Sequence, residues 1–129
     1  MREAQPADVD ELEEMENAIF PDNAMNAHTL LNEMRCGKCF VEERDGGIAG
    51  YILVRVEYDL VDVLRVGVRP GFHRQGIARK LMERVMPLAK RAVLLVRKGN
   101  DPAIKLYLSL DFKIVGHLLN DDSWLMLRG

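Results

Sequence analysis

Apolar positions along the chain follow two rhythms, and each change of rhythm marks an element. Residues 1–4 read as a short first strand. Across residues 6–20, Val9, Leu12, Met15 and Ile19 recur at the spacing of one helix face. An amphipathic helix is predicted there, with Asp8 as its cap and acids near the positive end of its dipole. The stretch FPDNAMN breaks it, and AHTLLNEMRC reads as a second short helix. CFVEER and IAGYILVRVEY flank DGG, and Asp-Gly between β-rich runs predicts a hairpin. LVDVLRVGVRP is a further strand, stopped by Pro70. Residues 75–90 return to helical spacing with Ile77, Leu81, Val85 and Leu88 on one face, and Pro87 should kink or shorten that helix. AVLLV is continuously apolar, as in a strand buried on both faces. DPAIKLYLSLDF predicts a helix capped by Asp101 with Pro102 at its first position. FKIVGHLL and SWLMLR, split by NDD, predict a closing hairpin.

The order is therefore β-α-α-β-β-β-α-β-α-β-β. It predicts one mixed α/β sheet with helices on its faces, in one domain spanning residues 1–129. No run of 18 apolar residues is present, so no membrane span is expected. The acidic N-terminal stretch lacks the apolar core of a signal peptide and is not a transit peptide either, so a cytoplasmic location is the expectation.

Net charge, −2, conceals an asymmetry. Residues 69–98 hold nine Lys or Arg against one acid, Glu83, for a local +8, and the remainder carries −10. A chain with one basic third is built to meet an anion locally; nucleic acid is not an expected partner. Six acids crowd residues 8–16, most simply as a solvated helix face. Cys36 and Cys39 form CGKC without a second pair, and they close a helix and open a strand, the reverse of a redox motif. They read as two buried or half-buried thiols, with no metal expected. His28 and His117 lack a supporting motif, and Trp124 reads as a hairpin packing residue.

The basic third contains VRPGFHRQGIARKLMERV, where a strand, a glycine-bearing loop and a helix start follow one another. The first N–H groups of a helix have no internal partner and carry the positive end of its dipole. Gly76 and Ala78 leave those amides open to a phosphate, and Arg74 and Arg79 add charge. The pattern is neither a Walker loop nor a dinucleotide fingerprint. A tight turn with solvated cations explains the same residues.

VGVRPGFHRQGIARKLM resembles motif A of the GCN5-related N-acetyltransferases, and NDPAIKLYLSLDF resembles that family's Asn–Ala–Leu-Tyr–Phe motif through Asn100, Ala103, Leu106, Tyr107 and Phe112. The resemblance covers nearly the whole chain and looks most like the ribosomal-protein and peptide N-terminal acetyltransferases. It implies a mostly antiparallel sheet of about seven strands, splayed between the fourth and fifth, and acetyl-CoA as co-substrate. The implied cofactor site comprises Val66, Gly67, Val68, His73, Arg74, Gln75, Gly76, Ile77, Ala78, Arg79 and Asn100. Backbone amides of 74–79 would hold the pyrophosphate, and pantetheine would pair along Val66 and Val68. The acceptor amine, of a protein or peptide or else a small molecule, would enter past FPDNAMN. A monomer or a homodimer is compatible with these expectations.

Three positions depart from the family pattern. His73 stands where Gln or Arg is usual, Asp111 where Gly is usual, and Leu95 where N-terminal acetyltransferases often carry a Glu. Acetyl transfer needs a neutral amine, a polarised thioester and a proton for the leaving thiolate. Tyr107 is the candidate acid, since a phenol stays protonated at neutral pH; packing on its helix face is the other reading. Asp62 is the candidate base, through a water; pairing with Arg55 or Arg65 is its other reading. Glu57 and Asp59 are weaker candidates. The alternative to an enzyme is a non-catalytic acyl-CoA-binding module, which the Leu95 departure favours and Tyr107 opposes.

Overall fold

The computed structural model describes residues 1–129. Seven strands form one sheet in the order β1-β2-β3-β4-β5-β7-β6. They are β1 (Arg2–Glu3), β2 (Lys38–Arg44), β3 (Gly47–Glu57), β4 (Leu60–Val68), β5 (Arg91–Arg97), β6 (Lys113–Leu118) and β7 (Ser123–Arg128). Four helices connect them: α1 (Val9–Ile19), α2 (Ala27–Cys36), α3 (Ile77–Val85) and α4 (Asp101–Ser109). Only β4 and β5 run parallel, and α3 makes the crossover between them. No helix is long and apolar enough to cross a membrane.

The two sheet faces carry separate cores. α3 and α4 pack Ile77, Leu81, Val85 and Tyr107 onto Ile52, Val61, Leu94 and Met126. α1 and α2 pack Leu12, Met15 and Leu30 onto Val41, Tyr51 and Leu53 of the opposite face. The period-2 alternation of β2 and β3 thus sends neighbouring residues to different cores.

Several ends differ from the expected ones for local reasons. α3 begins at Ile77 rather than 75, because Gly76 holds the left-handed conformation at φ 74°. It ends at Val85, and Pro87 sits in the 3-10 turn that follows. α4 is capped by Asn100, whose side-chain oxygen accepts from the Ala103 N–H at 3.3 Å, so Asp101 is the first helical residue and not the cap. Asp8 does not cap α1 either. It closes a 3-10 turn, accepting from the Gln5 N–H at 2.7 Å and from both terminal nitrogens of Arg2. The β2–β3 turn at Asp45 and Gly46 has positive φ at both residues, as a two-residue hairpin demands. Asp111 takes φ 71° after α4, the conformation that a Gly usually supplies there. Cys39 is buried as expected and its thiol is pushed up to about 12 by desolvation, but Cys36 at the end of α2 is exposed.

Candidate active site

The cleft originates in an irregularity of β4. Arg65 pairs with Leu53 of β3, and the next pair is Val63 with Val54, so Leu64 is an extra residue in the strand. A bulge of this kind bends and twists its strand. On the other side, β4 pairs with β5 only from Leu60 to Val63. Beyond that point the two strands separate, and a cleft of about 340 Å³ opens between them. Val66 and Leu64 line one wall, Leu95 and Arg97 the other, and Asn100 and Tyr107 come from the start and middle of α4.

The open edge of β4 presents backbone. The Arg69 N–H bonds to the Ala49 carbonyl of β3 at 2.8 Å, so residues 65, 67 and 69 direct their polar groups toward β3. Val66 and Val68 direct theirs into the gap. Gly67, expected among the cofactor residues, directs its backbone polar groups toward β3. Its lack of a side chain serves the other face, where a Cβ would come within 2.6 Å of the Tyr51 ring. His73 folds back so that its Nε2 lies 3.1 Å from the Val68 carbonyl. This side chain braces the loop and does not extend from it.

The loop after β4 is a run of free amides. No backbone or side-chain group accepts a hydrogen bond from the N–H of Arg74, Gln75, Gly76, Ile77, Ala78 or Arg79; the next donor is Lys80, which bonds to the Gly76 carbonyl at 3.0 Å. Arg74 at φ 66° and Gly76 at φ 74° are both left-handed and flank Gln75, which is not, an alternation of the kind that folds successive amides around a concavity. Such a concavity at a helix start binds anions. Side chains contribute less than the charge count suggested. Ile77 is buried and offers only its amide. Arg79 donates to the Ser109 hydroxyl at 2.6 Å, and Arg69 to the Ile48 carbonyl at 2.8 Å. Lys80 pairs with Glu42, Lys98 with Asp122, and Arg84 stacks on Phe40. Of the loop's cations, Arg74 alone has no such partner.

Tyr107 is 8% exposed and packs at a tilt of 57° against Phe112, with ring centroids 5.9 Å apart. Burial pushes its phenol up to about 12. Its hydroxyl has no hydrogen-bond partner in the protein, yet no buried side-chain polar atom is left unsatisfied, so the hydroxyl opens to the cleft it lines. Asp62 lies outside the cleft lining, in the paired part of β4, opposite Arg55 on β3 and Val93 on β5. It stands on the face that carries α1 and α2. Neither arginine pairs with it: Arg55 binds Glu33 and Arg65 binds Glu16. Partial burial raises the Asp62 carboxyl above its ordinary value, with Arg55 opposing and Glu57 and Glu33 adding to the shift.

The wall made by the loop between α1 and α2 was only partly foreseen. Phe20 and Asn23, from the loop between α1 and α2, line the cleft, and so do Arg65 and Asp121, which no motif singled out. The acids of α1 are not merely solvated. Glu11 accepts from the Ile48 N–H at 2.8 Å, Glu13 from the Ala27 N–H, and Glu16 is fully buried. Nothing local in sequence marks these partners, which lie 37, 14 and up to 49 residues away.

The family model for the acetyltransferase (GNAT) family matches residues 7–112. An N-alpha-acetyltransferase of Sulfurisphaera tokodaii is 29% identical over 98% of the chain and 90% of its own length. The ribosomal protein bS18 alanine N-acetyltransferase of Escherichia coli is 36% identical over 74 residues, 54% of this chain and 50% of that protein. Arabidopsis thaliana NAA60 in complex with acetyl-CoA superposes with a TM-score of 0.81 at 24% identity, covering 98% of this chain and 95% of that one. That likeness is one of fold.

Proposed function

Because this chain belongs to the acetyltransferase (GNAT) family, we propose that it transfers the acetyl group of acetyl-CoA directly to the amine of a protein or peptide, at its N-terminus. The observation that carries the reading is the continuity of one binding track. Six free amides at 74–79 lead into the open backbone edge at Val68 and Val66, and Val66 lines the same cleft as Tyr107. Anionic phosphates, a chain of pantetheine amides and a thioester would meet these groups in that order. Asn100 would stabilise the end of the track as the cap of α4.

The residues divide the chemistry. The neutral amine attacks the thioester carbonyl, forming the C–N bond, and the C–S bond breaks. Tyr107 donates its phenolic proton to the departing thiolate, and its raised pKa keeps that proton in place until then. Asp62 lies outside the cleft lining, so it would take the proton of the attacking amine only through a relay of water; its carboxylate has no ion-pair partner and its pKa is raised, which supports a base over a fixed ion-pair partner. Leu95 leaves the fifth strand without a proton acceptor at the cleft. The peptide acceptor follows the activities for which the two relatives are named and the apolar lining that Phe20, Leu64 and Leu95 give the cleft.

The test is release of free CoA thiol with a panel of free-amine peptides and small amines, followed by mass spectrometry of the modified nitrogen. Acetylation of a peptide α-nitrogen is expected. Turnover of small amines alone overturns the acceptor assignment. Acetyl-CoA binding without turnover of any acceptor makes the chain a binding module.

A further inference from the structure

One buried charge in this protein touches neither the amide loop nor Tyr107. Glu16 is 0% exposed, at the middle of α1, and its two oxygens accept every bond they can hold. Tyr51 donates its hydroxyl to one oxygen, and the Met25 N–H lies 2.9 Å from the other. Arg65 approaches both as a fork, at 3.1 Å from Nε and 3.0 Å from Nη2. The same Nη2 donates to the Asn23 carbonyl at 2.8 Å, and the guanidinium lies 4.2 Å from the centre of the Phe20 ring. The Tyr51 ring can occupy its place because Gly67 has no side chain to meet it. α1, β3, β4 and the 20–26 loop are thus joined through one carboxylate.

We infer that Arg65, held in one orientation by Glu16, is the positioning residue that fixes the 20–26 loop as the acceptor-side wall of the cleft and so sets acceptor affinity. Three facts combine to this end. Arg65, Phe20 and Asn23 all line the cleft. Arg65 follows the bulge at Leu64, so it belongs to the part of β4 that has left β5. Its contacts are with the loop's backbone carbonyl and with a ring face, which constrain the loop's path whatever its other side chains. A fork to a buried carboxylate has fixed geometry, whereas a lysine would place a point charge there. The loop is therefore preformed, and a peptide end meets a fixed wall rather than a lid. The inference rests on the proposed acceptor side of the cleft, and its test separates the two.

Arg65→Lys and Glu16→Gln are compared with the parent protein by three measurements. Amide exchange of residues 20–26 should accelerate in both. KM for an alanine-initiated peptide should rise about ten- to a hundredfold, the range for a displaced positioning group. Acetyl-CoA affinity should stay within about twofold of the parent, because the 74–79 amides are untouched. Arg65→Lys keeps the cation over Phe20 and should lose less than Arg65→Gln. Unchanged exchange in the loop overturns the inference, as does an equal loss of acetyl-CoA affinity, which would make the network a general support. If the parent protein leaves every peptide untouched, the acceptor assignment fails, and loop exchange with acetyl-CoA affinity still decides the role of Arg65.

Discussion

The two sides of the cleft are made from different material. The proposed donor side, residues 66–79, is mostly backbone: an unpaired strand edge and six free amides, with left-handed residues at 74 and 76. The proposed acceptor side is side-chain work, in which Glu16, Tyr51 and Arg65 converge from three elements to hold a seven-residue loop. A backbone site is specified by where the chain may turn, so a few small residues in sequence order encode it. A side-chain site is specified by tertiary packing and can be re-made with each change of partner. The donor side is thus suited to one invariant ligand, and the acceptor side to a chosen one.

Tyr107 stands between the two sides, and its removal should have the largest effect. Tyr107→Phe keeps the packing on Phe112 and deletes only the proton. We expect kcat to fall by about 10²–10⁴, the usual contribution of an acid catalyst, with acetyl-CoA affinity unchanged by calorimetry. Unchanged turnover would reduce Tyr107 to a packing residue.

The backbone character of the donor side is tested by two variants with opposed expectations. Gly76→Val places a β-branched residue at φ 74°, where a left-handed conformation costs about 1–2 kcal/mol, and so re-aims the amides. Acetyl-CoA affinity should fall by about tenfold or more, measured by calorimetry. Arg74→Ala leaves the amides in place and removes one exposed charge. It should cost only about a few-fold, and less as salt screens the phosphates. If Arg74→Ala proves the more damaging of the two, the donor side is a cation site and the contrast fails.

That same contrast explains what could be read from the sequence. Element order, the DG hairpin, the strand–loop–helix junction and the Tyr107 helix were all legible, because each is a local pattern of period, turn residue or motif. The seven-stranded mixed sheet and its parting between β4 and β5 matched the family expectation. The bulge at Leu64 was not legible, since a single extra residue in an apolar strand does not alter its composition. The α1 acids were read as solvated because their partners, Ile48, Ala27 and Arg65, are distant in sequence. Asp8 and Asp101 were misplaced as caps for a nearer reason: Arg2 engages the first, and Asn100 precedes the second with an equally suitable side chain. The basic third overstated its free charge, because composition counts Arg69, Arg79 and Lys80 without their partners.

The smallest expected effect concerns Asp62, and it separates function from stability at one residue. Its folded-state carboxyl is raised by desolvation above the ordinary value of about 3.9. The ionised form is therefore the disfavoured one in the folded protein. At neutral pH that disfavour is fully present; as pH falls through the raised folded value, the carboxyl takes up its proton and the cost disappears. Asp62→Asn should then be slightly more stable than the parent protein at neutral pH, with the difference closing on acidification, as followed by thermal melting across pH. Asp8 makes the opposite case. Arg2 holds its carboxyl below the usual range, so Asp8→Asn should destabilise at neutral pH, and that loss should fade as pH falls through the depressed value. Activity should run against stability at Asp62: kcat/KM of Asp62→Asn should drop most on the acidic limb, where more of the acceptor amine is protonated and a base matters most. If the acidic limb is the same in both proteins while the stability gain is present, Asp62 is a half-buried carboxylate with no part in the reaction, and the amine gives up its proton to water alone.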